Sequence, residues 1–279
     1  MLVIKADGTE EEFKPEKLRT SLRRAGAKDA EIEEIIAVIQ KNTTPRLTTQ
    51  MIYQQAFALL AEREKPVAAK YSLRRAVFGL GPTGFPFEDF VARVFKAEGY
   101  TTKTRLSIRG KCALHEVDVA GYKEGHSFIA EAKFHAHPGI KSDLQVALYS
   151  YARYLDLKTH PICAEDTCGI VTFLIVTNTK FTRAAIDYAK CAGIELLSWG
   201  YPHENSLQDR VDRLGVYPIT VLRTLSNTEK TALLKAGIIL CSEILENPTA
   251  LEREGVPRNK LSAVLEESRQ LCHKKRPML

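Results

Sequence analysis

The chain is poor in the residues that mark several protein classes. It has one tryptophan and three methionines, and aromatic residues make up 8% of it. Its six cysteines are thinly spread over 279 residues, a pattern of reduced thiols and not of a disulfide scaffold. No apolar run approaches the ~20 residues that a membrane-crossing helix requires, so no membrane partner is expected. The first residues enter a charged, strand-like stretch without an apolar signal core, which predicts a cytoplasmic protein. Low-complexity tracts, long repeats and a GxxxxGK[ST] loop are also missing. Collagen, coiled coil, bulk disorder and a P-loop motor are thereby set aside.

What is present is the mix of a globular protein, 44% hydrophobic and 27% charged. At ~100–200 residues per domain the length allows two domains or three small ones. The Gly/Pro-rich GLGPTGFP around residue 81 and Pro218 mark the changes of character. The net charge of +6 is unevenly placed: +3 over residues 1–84, zero over 85–217 and +3 over 218–279. A positive surplus in the flanks permits a polyanionic partner.

Residues 1–82 predict a hairpin at Asp7-Gly8, then four helices. Asp-Gly between extended pieces favours a tight turn. Pro15 suits a first helical turn. Leu18, Leu22 and Ala25 share one face, and Ile32, Ile35, Ile36 and Ile39 another. Thr48 or Thr49 caps a third helix, and Pro66 opens a fourth that runs to about Phe78. Residues 83–205 read as α/β: a helix at Phe87–Ala97, strands at 103–109, 114–121 and 126–134, and a helix over 141–157. The apolar strand 169–177, a helix at 181–192 and the strand Ile194–Ser198 complete the alternation. Residues 218–272 predict short amphipathic helices ended by Gly237 and Gly255.

The chemistry concentrates on two strands. Glu131 and Lys133 of Glu131-Ala132-Lys133 fall on one face, joined by Asp118 from the preceding strand. Two carboxylates can hold a hard cation such as Mg²⁺, which polarises a phosphodiester and activates water. A lysine beside them can orient that water and offset charge on the phosphate oxygens. Both Asp118 and Lys133 are expected on a hydrated face that the core does not need. An ordinary solvated strand face is the competing explanation.

In order, Glu88 in the opening helix, Asp118, Glu131-Ala132-Lys133 and Gln145-Val146-Ala147-Leu148-Tyr149 resemble the PD-(D/E)XK nucleases, in the Mrr-like restriction endonuclease branch. The likeness runs over roughly residues 85–200, through Val176-Thr177-Asn178 and Gly193-Ile194-Glu195-Leu196. It implies that Asp118 and Glu131 bind Mg²⁺, that Lys133 serves the attacking water and that Glu88 completes the metal shell through water. Gln145 would support the site, with Tyr149 assigned to core packing.

Residues 1–80 resemble the ATP cone of ribonucleotide reductases and their repressor, through Val3-Ile4-Lys5-Ala6-Asp7-Gly8, Glu11 to Phe13, Lys17, Thr49 and Tyr71-Ser72-Leu73-Arg74. The resemblance implies that ATP or dATP binds as a regulatory ligand. Val3 would pack the base, while Lys5, Lys17 and Arg74 meet phosphates. Ala6 stands where members usually carry a second basic residue. The C-terminal segment resembles a SAM/helix-hairpin-helix module, whose turns can grip DNA phosphates; a helical dimerisation cap fits it equally.

The fold class expected is therefore α/β multidomain: a hairpin-plus-four-helix cone, a restriction-endonuclease-like α/β/α sheet domain and a small helical domain. The implied activity is Mg²⁺-dependent DNA endonuclease in a homo-oligomer under nucleotide control. The alternative is a nucleotide-sensing DNA-binding regulator with an inactive nuclease fold. His160, Cys163 and Cys168 lie close together, but no second Cys/His pair has the spacing for a tetrahedral zinc site. His135 and His137 are expected in a surface loop.

Overall fold

The computed structural model describes residues 1–41, 46–158, 170 and 172–272. The chain opens with an antiparallel hairpin, β1 (Leu2–Ile4) and β2 (Glu10–Glu12), with Val3 opposite Glu11. Asp7 closes the turn by accepting both the N–H and the hydroxyl of Thr9, and Gly8 supplies the left-handed residue at φ +80°. Helices α1 (Pro15–Ala25), α2 (Asp29–Gln40) and α3 (Thr49–Arg63) bury the predicted leucine and isoleucine faces against Val3. Thr48 is the cap of α3, its hydroxyl accepting the Met51 N–H at 3.1 Å.

The predicted fourth helix is two: α4 (Lys65–Tyr71) and α5 (Leu73–Phe78). At the break the Ser72 hydroxyl donates to the Ala69 carbonyl at 2.7 Å, the back-bonding that disturbs helices. Two cores also meet near the break, Ala69 of α4 already belonging to the second. Val67 and Ala68 pack with α1–α3, whereas Leu73, Ala76 and Val77 join the next cluster.

That cluster begins with α6 (Phe85–Ala97) and the sheet strands β3 (Thr101–Arg109), β4 (Leu114–Lys123) and β5 (His126–Lys133). After β6 (Lys141–Ser142) and α7 (Leu144–Leu157) come β7 (Thr172–Thr177), β8 (Lys180–Phe181), α8 (Arg183–Ala192) and β9 (Glu195–Ser198). The sheet runs β3-β4-β5-β7-β9, antiparallel through β5 and parallel beyond it, while β6 and β8 form a separate parallel pair. Phe87, Phe90 and Phe95 of α6 pack one face with Val119, Phe128 and Ala130. Ala147, Leu157 and Ala185 of α7 and α8 pack the other with Ile129 and Ile175. Helix α9 (Leu207–Leu214), which the sequence reading passes over, starts at a Ser206–Asp209 capping box.

A 3-10 turn at Ile219–Val221 leads to α10 (Asn227–Lys235), α11 (Cys241–Glu246), α12 (Thr249–Arg253) and α13 (Arg258–Cys272). Gly237 and Gly255 have φ of +79° and +83°, and the next residues, Ile238 and Val256, bond back to Leu233 and Leu251. Leu233, Ile244 and Val264 share one buried cluster with α5 and α6. Thr220 ties this region to the cone by donating to the Ala76 carbonyl at 2.6 Å. Among the described residues no helix is long and apolar enough to cross a membrane.

One position limits the sheet sharply. Gly121 of β4 pairs with Phe128 of β5, whose ring packs on Phe95 at 4.4 Å and Tyr100 at 5.2 Å between centroids. A Cβ at Gly121 would fall 2.2 Å from Phe128 Cε1. Gly121→Ala is expected to cost about 1–3 kcal/mol through overpacking, read as a lower melting temperature than wild type.

Candidate functional site

At Asp118 the sheet departs from regularity. The β4–β5 pairing runs from Lys123↔His126 to Val119↔Ala130 and stops there. Asp118 takes over with its side chain, accepting the Ala132 N–H at 2.7 Å. In a regular strand residues two apart share a face, yet Val117 and Val119 pack in clusters on opposite faces. The strand is therefore rotated at Asp118, which turns this carboxylate toward β5. On β3, Arg105 lies between the paired Thr104 and Leu106 and holds φ at +53°, a strained conformation for a residue with a Cβ. Its guanidinium reaches Asp89 at 3.0 Å and Glu88 at 3.4 Å.

Glu131 is buried, and both its oxygens are engaged. Lys133 Nζ lies 2.5 Å from Oε1, and Arg153 of α7 pairs with Oε2. Burial, and then the charge of Glu131, push the Asp118 carboxyl up to about 6. Burial, and then the charge of Asp118, push buried Glu88 up to about 7. Asp118 of β4 thus feels the charge of Glu131 on β5 and acts on Glu88 of α6, while Arg105 pairs with Glu88 and Lys133 and Arg153 pair with Glu131.

The hydrated face expected for Asp118 is not what the chain builds. Asp118 is partly buried and supports β5, because it supplies the acceptor that the interrupted ladder lacks. Tyr149, expected in the core, is 62% exposed, since it lies on the outward face of α7 with Arg153 stacked over its ring at 5.6 Å. Gln145 is exposed on the same face, at the i, i+4, i+8 spacing that joins Gln145, Tyr149 and Arg153. Arg153 and Arg105 are the site residues that the sequence reading missed. For Arg153 that spacing was the available signal. His135 is no free loop residue: its Nε2 lies 3.0 Å from Ser142 Oγ, while its backbone is clasped by Asn178 at 2.8 Å in both directions. His160, Cys163 and Cys168 lie outside the described residues, as does the basic tail 273–276.

The donor set is all oxygen, as Mg²⁺ prefers, and Mg²⁺ sites use one or two carboxylates with water and substrate phosphate. Asp118 and Glu131 are two carboxylates of that kind, with both Glu131 oxygens already paired to Lys133 and Arg153. Among the described residues no group of three His, Cys, Asp or Glu is arranged to hold a metal ion. The raised carboxyls make a testable prediction. A proton is bound more tightly by folded than by unfolded Asp118, so its contribution to stability is full below the unfolded value near 3.8 and is lost as pH rises through about 6. The melting temperature of wild type relative to Asp118→Asn is therefore expected to fall between pH 4 and 7. A divalent cation held by Asp118 and Glu131 would stabilise wild type more at pH 8 than at pH 5.

The second cluster lies at the hairpin. Lys5 and Lys17 both pair with Glu11, at 2.9 and 2.8 Å; the hydrogen bonds from Lys17 and Lys5 hold its carboxyl down to about 2. Arg74 of α5 has its Nε buried without a hydrogen-bond partner, and burial draws its pKa down. Val3 is buried in the cone core and is not presented to solvent, while Thr49 is exposed in the first turn of α3. At Ala6 the backbone is closely approached by Gly139, where an added Cβ would lie 3.2 Å from the Ala6 carbonyl oxygen.

Residues 1–77 match the ATP cone domain, which makes the N-terminal part a nucleotide-sensing regulatory domain. Residues 217–272 match the family described as AF1548-like, C-terminal. An uncharacterized protein of Archaeoglobus fulgidus is 33% identical over 182 residues, which are 65% of this chain and 99% of that protein. The crystal structure of a protein of unknown function, AF1548, superposes with a TM-score of 0.57 at 31% identity, covering 68% of this chain and 98% of its own. The chain belongs to the AF1548-like family and carries an ATP cone at its N-terminus.

Proposed function

We propose that this protein is a nucleotide-regulated, Mg²⁺-dependent DNA endonuclease with a restriction-endonuclease-like central domain. The observation that carries the reading is the convergence of Asp118 and Glu131 beside Lys133, close enough that the charge of Glu131 raises the Asp118 carboxyl. Paired carboxylates that repel each other gain from a shared cation. The order of elements supports the reading too, since a helix with Glu88, a strand with Asp118, a strand with Glu131-Ala132-Lys133 and then helix α7 follow in the order that the PD-(D/E)XK resemblance implies.

Asp118 and Glu131 would hold the ion, which supplies phosphate polarisation and an activated water when bound. Lys133 orients the water and offsets negative charge growing on the phosphate oxygens. Arg153 fixes the Glu131 carboxylate, and Arg105 keeps Glu88 beside Asp118. DNA approaches from the side of α7 that exposes Gln145 and Tyr149. The test is incubation of supercoiled plasmid with the full chain and Mg²⁺, with and without ATP or dATP. Nicked or linear product supports the reading.

A second reading is favoured by one observation. Both oxygens of Glu131 are already held by Lys133 and Arg153, the state of a carboxylate that serves as a structural ion pair. In that case the protein is a nucleotide-sensing DNA-binding regulator, and plasmid is bound but left intact.

A further inference from the structure

The match to the ATP cone ends at residue 77, but the basic cluster does not. Gly139 packs on the hairpin turn, with an added Cβ 3.3 Å from the Asp7 N and Cα, so the segment before β6 sits on the cone. The parallel pair β6–β8 sets Lys141 beside Lys180 in register. Glu11 accounts for Lys5 and Lys17. Arg74, Lys141 and Lys180 have no ion pair with any carboxylate among the described residues.

We infer that Lys141 and Lys180 of the central domain complete the phosphate site of the cone, so that a nucleoside triphosphate is gripped jointly by Lys5, Lys17, Arg74 and these two lysines. The site needs an anion of several charges, because a single carboxylate, Glu11, already answers two of the five cations. Burial first, then the charges of Arg74, Lys141, Lys17 and Lys5, draw down the ammonium of Lys180. A polyphosphate offsets those charges, and Glu11 must yield to it.

The lysines also explain how the cone is connected to the carboxylates. Lys180 directly follows Thr177–Thr179, and Thr177 Oγ1 donates to the Lys133 carbonyl at 2.7 Å. Lys141 directly precedes Ser142, the partner of His135. Both phosphate ligands therefore sit on segments bonded to the end of β5. The inference rests on the cone and stands whether or not the carboxylate cluster cuts DNA.

The experiment is calorimetry of ATP and AMP on the full chain, comparing wild type, the double variant Lys141→Ala/Lys180→Ala, and Lys141→Arg/Lys180→Arg. Lys235→Ala, remote in sequence from both clusters and exposed, is the control. The alanine pair is expected to weaken ATP about a hundredfold, about tenfold per lysine at ~1.4 kcal/mol each, with AMP much less affected and the melting temperature kept. The arginine pair should retain most ATP affinity. Unchanged ATP affinity in a folded alanine pair overturns the inference alone. A wild-type chain that binds neither nucleotide overturns the inference and the cone's sensing role together.

Discussion

Lys133→Ala and Asp118→Asn are each expected to reduce Mg²⁺-dependent plasmid cleavage by at least about a hundredfold, the size of effect seen when one preorganised electrostatic contact to a transition state is removed. The two losses arise differently. Lys133 contributes charge and donors toward the phosphate, whereas Asp118→Asn exchanges a full negative charge for a neutral amide at the proposed metal. Asparagine is the informative substitution because its carbonyl can still accept the Ala132 N–H. Asp118→Ala leaves that N–H without its acceptor and should cost about 1–3 kcal/mol of stability as well, so its inactivity would mix two causes. Cleavage rates beside melting curves separate them. Full activity in either Lys133→Ala or Asp118→Asn removes those groups from the mechanism.

Nucleotide is expected to change both the oligomer size and the cleavage rate, and Lys5→Ala should abolish both responses. A ligand shifts an equilibrium only by its differential affinity for the two arrangements, so the cone must be packed differently when loaded. The structure provides the contacts through which it could matter. Gly81, between the cone and α6, lies so close to Phe134 that an added Cβ would fall 2.7 Å from its ring. Phe134 follows Lys133 directly in the chain. Light scattering and cleavage across an ATP or dATP titration measure the two responses. Nucleotide bound with neither response would reduce the cone to a passive attachment.

Much of the architecture was legible because it follows from side-chain period. The isoleucines of α2 and the alternation along β5 place their elements, and Asp7-Gly8 places the hairpin. The break at Ser72 was not legible, since it lies where the chain passes from one core to the next. Helix α9 was missed although Ser206 and Asp209 announce its start, because only Leu207 and Val211 are buried in it. The ends of the candidate site, Asp118, Glu131 and Lys133, were readable as residue types at a spacing. Their burial was not, because it follows from α6 and α7 closing over both sheet faces. The rotation of β4 at Asp118 was hidden for a similar reason: it accompanies the end of the β4–β5 pairing at Val119↔Ala130. Arg105 reaches the carboxylates from another strand with no signal in the sequence, whereas Arg153 was marked by its spacing from Gln145 and Tyr149.

The central claim is most directly tested by supercoiled plasmid incubated with the wild-type chain, first in EDTA, then after Mg²⁺ is restored, with nucleotide present. The proposed function predicts intact plasmid in EDTA and nicked or linear plasmid once Mg²⁺ returns. Plasmid that is cut equally in EDTA, or that stays intact under every metal and nucleotide condition while nucleotide still binds, would contradict it.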